Sequence, residues 1–511
     1  MPRSREAGEM VLTPHPAALA EKKSYLVETY GCQMNVADTE IVESILLSNG
    51  FNRAADEAAA DVILLNTCAI RENAESKIWQ RLYNLKSMRR KKQVSPTQKI
   101  ALLGCMAERL KAKLLEEDQL VDIVAGPDAY RDLPRLISSS YALHTNANAS
   151  MDISDVMNVQ LSMEETYADV KPVREDGVSA FVSIMRGCNN MCSYCIVPFT
   201  RGRERSRPMD SILGEVGDLS ARGFKEVVLL GQNVNSYVDS SQTVADIEET
   251  DIATASGFSS VDKRKRHGAS FAALLQRVAE AFPHMRFRFT SPHPKDFSPE
   301  VISVIANYPN VCNSLHMPAQ SGSDSVLLRM RRFYTHAAYL ELIAHVRDQI
   351  PNVSISSDFI AGFCGETEEE HQETLRLLNE VHFDQAFMFA YSMREKTHAH
   401  RKMVDDVPDA VKQRRLSEII ELFHRHAKQS NERRLGQVAT VLVEGPSRRD
   451  VSAWSGRADS NHKVIFPMTP LPDLHTGLSR LPQAGDLVEV NLAACSSVTF
   501  QGQAQRFVTL G

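Results

Sequence analysis

No apolar run in these 511 residues approaches the roughly 20 that a membrane helix needs, which excludes a helical span. Positive charge is not in excess either. Against 58 Lys and Arg stand 64 Asp and Glu, for a net charge of −6. Such a balance excludes coating of nucleic acid by the whole surface, so any RNA contact must use local basic patches. The nine cysteines are an odd number, which argues against a secreted disulfide framework. Residues 1–23 carry Arg3 and Arg5 but also Glu6, Glu9 and Glu21, whereas an import peptide should be poor in acids. The 43% hydrophobic and 24% charged content is that of a globular protein, and the length implies two to four domains.

Four short apolar runs, YLVETYG, DVILLNT, KIALLG and VDIVAG, alternate with amphipathic segments over residues 24–140. That rhythm predicts an open parallel α/β sheet. Residues 1–23 are expected to be disordered, and the polar stretch 141–178 to be a linker. From 179 to 434 the alternation returns on a larger scale. Candidate strands AFVSIM, KEVVLLG, MRFRFT, NVCNSLHM, VSISSDFIAG and QAFMFAYS predict a partial (β/α)6 barrel. A polar insertion at 239–268 interrupts it after the second strand. Beyond 435, short β-branched runs with Gly and Pro punctuation predict a small antiparallel β-barrel or sandwich reaching 511.

Two sets of cysteines stand out from that frame. Cys188, Cys192 and Cys195 have C-x3-C-x2-C spacing, unlike the two C-x2-C pairs of a structural zinc site. Three thiolates on one loop can hold three irons of a [4Fe–4S] cube and leave the fourth open. A zinc loop completed by a distant His is the alternative. Cys32, Cys68 and Cys105 lie about one βα unit apart, each just after a candidate strand. The C-terminal strand ends of an open sheet line one crevice, so three thiolates there define a second cluster with a second open iron. Three unrelated buried thiols are the bland reading. Cys312, Cys364 and Cys495 lack ligand spacing and are expected to be packing residues. Arg201, Arg203, Arg205 and Arg207 alternate, so an extended segment would turn them to one side as an anion-binding stripe. Salt bridges with Glu204 and nearby acids are the competing reading.

CNNMCSYC resembles the cysteine loop of radical S-adenosylmethionine (SAM) enzymes. There the open iron chelates the cofactor, and reductive cleavage yields a 5′-deoxyadenosyl radical. The resemblance places Tyr194 near the cofactor's adenine. It also assigns cofactor contacts to Gly231, Gln232 and Asn233 in LLGQNV, and to Asp358 and Gly362 in DFIAGFCGET. YGCQMN, NTCAIRENAE and LLGCMAER resemble the N-terminal domain of methylthiotransferases, and Gln33, Met34 and Asn35 side with the MiaB type. The C-terminal module resembles a TRAM domain, an RNA-binding barrel. The long insertion and FTRGRERSRP look like the eukaryotic, mitochondrial-type branch. The function implied is methylthiolation at C2 of N6-isopentenyladenosine beside the anticodon of tRNA, with two [4Fe–4S] clusters and SAM. In this reading Cys188, Cys192 and Cys195 serve radical generation, while Cys32, Cys68 and Cys105 deliver sulfur. Partners are then the tRNA anticodon loop and electron- and sulfur-donor systems, without a membrane; the expected state is a monomer, in the mitochondrion or cytoplasm. Threonylcarbamoyl-adenosine or a ribosomal-protein side chain is the alternative acceptor. A non-catalytic kinase regulator that keeps the fold is the alternative of another class.

Overall fold

The structure is a computed structural model that describes residues 23–69, 72–91, 93–111, 115, 120–145, 152–241, 257–259, 268–472 and 479–510. The expected N-terminal disorder and most of the 239–268 insertion therefore lie outside the described residues. Among those described, no helix is long and apolar enough to cross a membrane.

The first unit is a six-stranded parallel sheet. Its strands are β1 (Ser24–Tyr30), β2 (Asn52–Arg53), β3 (Val62–Thr67), β4 (Lys99–Gly104), β5 (Ile123–Ala125) and β6 (Met157–Asn158), in the order β2-β1-β3-β4-β5-β6. Every residue of β3 and β4 is buried, as expected of central strands covered on both faces. Val62, Leu64, Ala101 and Leu103 pack toward α1 (Gln33–Ser48), while Ile63, Leu65, Ile100 and Leu102 pack toward α2 (Glu72–Arg90) and α3 (Cys105–Leu110). The expected linker 141–178 is corrected at three points. Helix α4 (Leu133–Thr145) enters it, β6 extends the sheet, and Tyr167 stacks on Tyr130 and donates to the Pro127 carbonyl. A two-residue strand held by backbone bonds and one buried ring leave no periodicity to read.

The central unit has the six expected parallel strands: β7 (Ser179–Ser183), β8 (Glu226–Leu230), β9 (Arg286–Phe289), β10 (Ser314–His316), β11 (Ser354–Ala361) and β12 (Gln385–Ala390). They pair as β7-β8-β9 and β10-β11-β12, and a parallel bridge between Phe287 and Val311 joins the two groups. The helices are α5 (Met209–Ala221), α6 (Phe271–Ala281), α7 (Pro299–Asn307), α8 (His336–Gln349), α9 (Glu368–Val381) and α10 (Asp409–Glu432). Helix α10 was not among the expected segments, although Ile419, Phe423 and Ala427 give it a buried stripe at four-residue spacing. At the insertion's ends, Val238–Asp239 pairs with Ala269–Ser270, and Phe258 is buried against Tyr334.

Alternation along these strands separates a core face from a lumen face. Phe287 and Phe289 join the helix-covered core, so Arg286 and Arg288 face inward. Ile355, Phe359 and Ala361 are likewise core residues, which turns Ser356, Asp358 and Ile360 to the lumen.

The third unit is a closed barrel of β13 (Val438–Pro446), β14 (Ala453–Ala458), β15 (Lys463–Pro467), β16 (Leu487–Cys495) and β17 (Thr499–Val508). It is not wholly antiparallel, because β15 and β17 pair in parallel through Lys463 and Thr499. The turn after β14 reaches the central unit's inward arginines. Arg288 donates to the carbonyls of Asp459 and Ala458 at 2.8 Å each, and Arg286 to that of Arg457 at 3.2 Å. Arg434 and Asp384 add an ion pair at 2.6 Å.

Candidate functional site

Contacts between the first two units run beside both sets of cysteines. Cys32 caps α1 just past β1, Cys68 follows β3, and Cys105 opens α3 directly after β4. The local backbone demands glycine at Gly31. Its φ is +144°, and an added Cβ would stand 2.3 Å from Asn35 Oδ1 and 2.8 Å from Cys68 Cβ. Asn35 accepts from the Cys32 amide and donates to Asn66 and to the Thr67 carbonyl, tying the first two cysteine turns together. A hydrogen bond from Cys68, with help from the Arg201 charge, brings the Cys32 thiol down to about 6. Arg201 Nε lies 3.2 Å from Cys105 Sγ.

Cys188, Cys192 and Cys195 sit on the loop after β7. Gly187 precedes them at φ +78°, where a Cβ would meet the Arg203 carbonyl oxygen at 2.0 Å. The Ser193 amide donates to the Met330 carbonyl, and Cys195 closes a turn onto the Cys192 carbonyl. Burial, followed by the charge of Glu204 and the neighbouring thiols, holds Cys188 well above the usual thiol range; burial pushes Cys195 up to about 12. Three cysteines on one loop supply a soft sulfur donor set that fits an iron–sulfur group. Among the described residues no three His, Cys, Asp or Glu side chains could hold a metal ion between them. In a cube each thiolate takes its own iron, a wider arrangement than a shell around one ion. Arg332, which carried no sequence signal, is buried with Nη1 3.7 Å from Cys192 Sγ.

One residue spans the two sets. Gln232 accepts from the Gly187 amide at 2.5 Å and approaches Met34 Sδ with its amide nitrogen at 3.0 Å. Gly231 is packed so closely that a Cβ would meet Met185 at 2.6 Å. Asn233 donates to Asp296 and Glu204, and its buried Oδ1 has no partner. Glu204 also accepts from the Asn189 amide inside the cysteine loop. Tyr194 packs with Phe363, Cys364, Tyr391 and Ile360. Asp358 lies 3.3 Å from His316 on the lumen face. Gly362, at φ +75°, leaves room for Lys412, whose Cγ would stand 2.4 Å from a Cβ.

The expected arginine stripe is corrected. Arg201, Arg205 and Arg207 are buried, and only Arg203 is exposed. Asp38 on α1 takes Arg186 at 2.8 Å and Arg201 at 2.7 Å, and it accepts from Tyr130. Asp128 takes Arg205 at 2.9 Å, and Glu215 takes Arg207 at 2.6 Å. Alternation failed because the segment folds through a short helix (Val197–Thr200) and a two-residue strand (Arg205–Ser206) between two units that supply the acids. Burial would raise the Asp38 carboxyl, but Arg186 and Arg201 outweigh it and hold it below its usual value. Besides Arg203, Arg401 and Lys402 are exposed cations beside the cysteine loop. Their short helix (His398–Lys402) donates the Ala399 amide to the Ser193 carbonyl, and Arg401 lies over Phe199.

Residues 24–126 match the uncharacterized protein family UPF0004, and residues 182–378 match the radical SAM superfamily. The chain is 50% identical to the mitochondrial tRNA methylthiotransferase CDK5RAP1 of Mus musculus, over 98% of this chain and 85% of that protein. It is 46% identical to the tRNA-2-methylthio-N(6)-dimethylallyladenosine synthase of Chloroherpeton thalassium, over 95% of this chain and 97% of the other. Among solved structures, the radical S-adenosylmethionine methyltransferase TsrM from Kitasatospora setae covers 74% of this chain and 77% of its own. Its TM-score is 0.51 at 12% identity, a likeness of fold.

Proposed function

The chain belongs to the MiaB-type radical SAM methylthiotransferase family, and on that premise we propose that it methylthiolates C2 of N6-isopentenyladenosine beside the anticodon of tRNA, in the mitochondrion. The observation that carries this reading is Gln232, which touches Gly187 beside one cysteine set and Met34 beside the other. Cys188, Cys192 and Cys195 would hold one [4Fe–4S] cluster, at which SAM would bind, and Cys32, Cys68 and Cys105 would hold a second. When bound, these groups supply the one-electron chemistry that a C2–H of low acidity requires.

The chain's own residues position and enclose. Tyr194, Gly231, Gln232, Asn233, Asp358 and Gly362 line the cofactor side, where the unpartnered Asn233 Oδ1 suits an ammonium donor. Arg201 and Arg332 each set a buried positive charge against one cysteine set. Arg203, with Arg401 and Lys402, offers exposed charge to RNA phosphates. The C-terminal barrel serves as a TRAM-like RNA module from about residue 435, and the first unit extends to 178. External electron and sulfur donors complete the cycle.

Nucleoside mass spectrometry of tRNA from cells lacking the protein tests the reading. Loss of 2-methylthio-N6-isopentenyladenosine is expected. Its unchanged persistence, with no other enzyme present to make it, sinks the assignment, and the modification that disappears instead names the true acceptor.

A further inference from the structure

The last strand of the open barrel carries an unusual pair. Phe387 and Phe389 are 47% and 40% exposed, whereas Ala386 and Met388, which alternate with them, pack on the main core. Alternation therefore turns both phenyl rings to the lumen. Among the described residues β12 has β11 as its one neighbouring strand, so this wall borders the barrel's open side. Two large rings on the inner face of an edge strand are a liability unless something covers them.

Register fixes their depth. Phe389 lies opposite Ile360, which packs in one cluster with Tyr194 of the cysteine loop. Phe387 lies opposite Asp358, one step deeper. His316 steadies it edge-on, with ring centroids 6.0 Å apart, while its own nitrogens are engaged by Ser356 at 3.0 Å and Asp358 at 3.3 Å. Arg286 and Arg288, gripped by the C-terminal barrel, close the lumen below. The exposed apolar wall thus begins beside the Tyr194 cluster and ends above a polar floor. Both rings lie on one face, about 6.6 Å apart along the strand.

We propose that Phe387 and Phe389 form the platform on which the substrate nucleoside lies, one ring against the flipped-out purine and the other against its apolar N6 substituent. His316 acts as a positioning residue for Phe387. The inference rests on the tRNA reading above and specifies where in the barrel the base is held. An aromatic face suits an unstacked loop base, and a phenyl neighbour rewards the isopentenyl group over bare adenine.

The test uses holoenzyme and anticodon stem-loops with isopentenyladenosine, adenosine or an abasic site at the target position. Wild type should bind the isopentenyladenosine loop about tenfold or more tighter than the abasic one. In the Phe387→Ala/Phe389→Ala double variant that preference should fall to about twofold or less, and kcat/KM for thiolation should drop about 5- to 100-fold. SAM cleavage without tRNA should not change, and Phe387→Tyr, which keeps the ring, should retain the preference. Retention of the full preference by the double variant overturns the proposal. An equal fall in tRNA-independent cleavage also overturns it, because the cofactor's own adenine would then occupy the wall. If wild type thiolates none of these RNAs, the functional reading fails and this placement falls with it.

Discussion

The two cysteine sets solve one problem in opposite ways. Cys188, Cys192 and Cys195 lie within eight residues of one another, and their loop is tied to its own unit through Ser193 and Met330. Their nearest buried cation, Arg332, belongs to that unit too. Cys32, Cys68 and Cys105 are brought together only when three strands pair, and their cation, Arg201, arrives from the neighbouring unit. The first set is therefore local in sequence and supported within its own unit, while the second depends on docking as well. Docking is what the Asp38–Arg186–Arg201 knot supplies.

The largest break in that comparison is chemical. Cys192→Ala should abolish SAM cleavage and thiolation together, whereas Cys68→Ala should keep measurable cleavage and lose thiolation. Iron analysis should fall from about eight to about four per chain in each. Equal loss of both activities in Cys68→Ala would erase the division of labour.

Next comes the knot. Asp38→Ala strands two buried guanidiniums, and removal of one partner from a buried pair costs about 3–5 kcal/mol in denaturant titration. Spectroscopic signals of the Cys32 set should weaken before those of the Cys188 set. Simultaneous loss would show that both depend on docking alike.

A control lies far from both. His462 is buried in the C-terminal barrel, and burial lowers its pKa to about 4. The unfolded imidazole takes a proton below about 6.5 while the folded one does not, so stability falls as pH drops from 6.5 toward 4. The expected loss at pH 5 is about 2 kcal/mol, and His462→Phe should flatten the slope. Both iron signals should outlast this transition. A slope unchanged in His462→Phe would assign it to other groups.

The smallest effect belongs to the surface. Arg203→Ala should shift stability by less than about 0.5 kcal/mol, yet lower the salt slope of tRNA binding by about one unit. An unchanged salt slope would remove Arg203 from the RNA contact.

Much of this was legible because it is periodic. Six parallel barrel strands, four of the six sheet strands and the shared phase of Cys32, Cys68 and Cys105 follow from strand–helix alternation. Arginine pairing was not, because Asp38 and Asp128 lie far from Arg201 and Arg205 in sequence and meet them only after docking. Arg332 was hidden for the same reason, being 140 residues from the thiol it approaches. The exposure of Phe387 and Phe389 was not legible in the candidate strand QAFMFAYS, since a strand's inner and outer faces look alike when both are apolar.

The grip of Arg286 and Arg288 on the turn after β14 has a topological consequence. It makes the central barrel a blind well: whatever descends past the cysteine loop must leave by the rim or the open flank. The module that corks the well is also the one assigned to hold RNA. Seating the tRNA body and sealing the chamber are thus properties of one joint, and loosening it should make the enzyme at once leaky to solvent and careless about which nucleotide it presents.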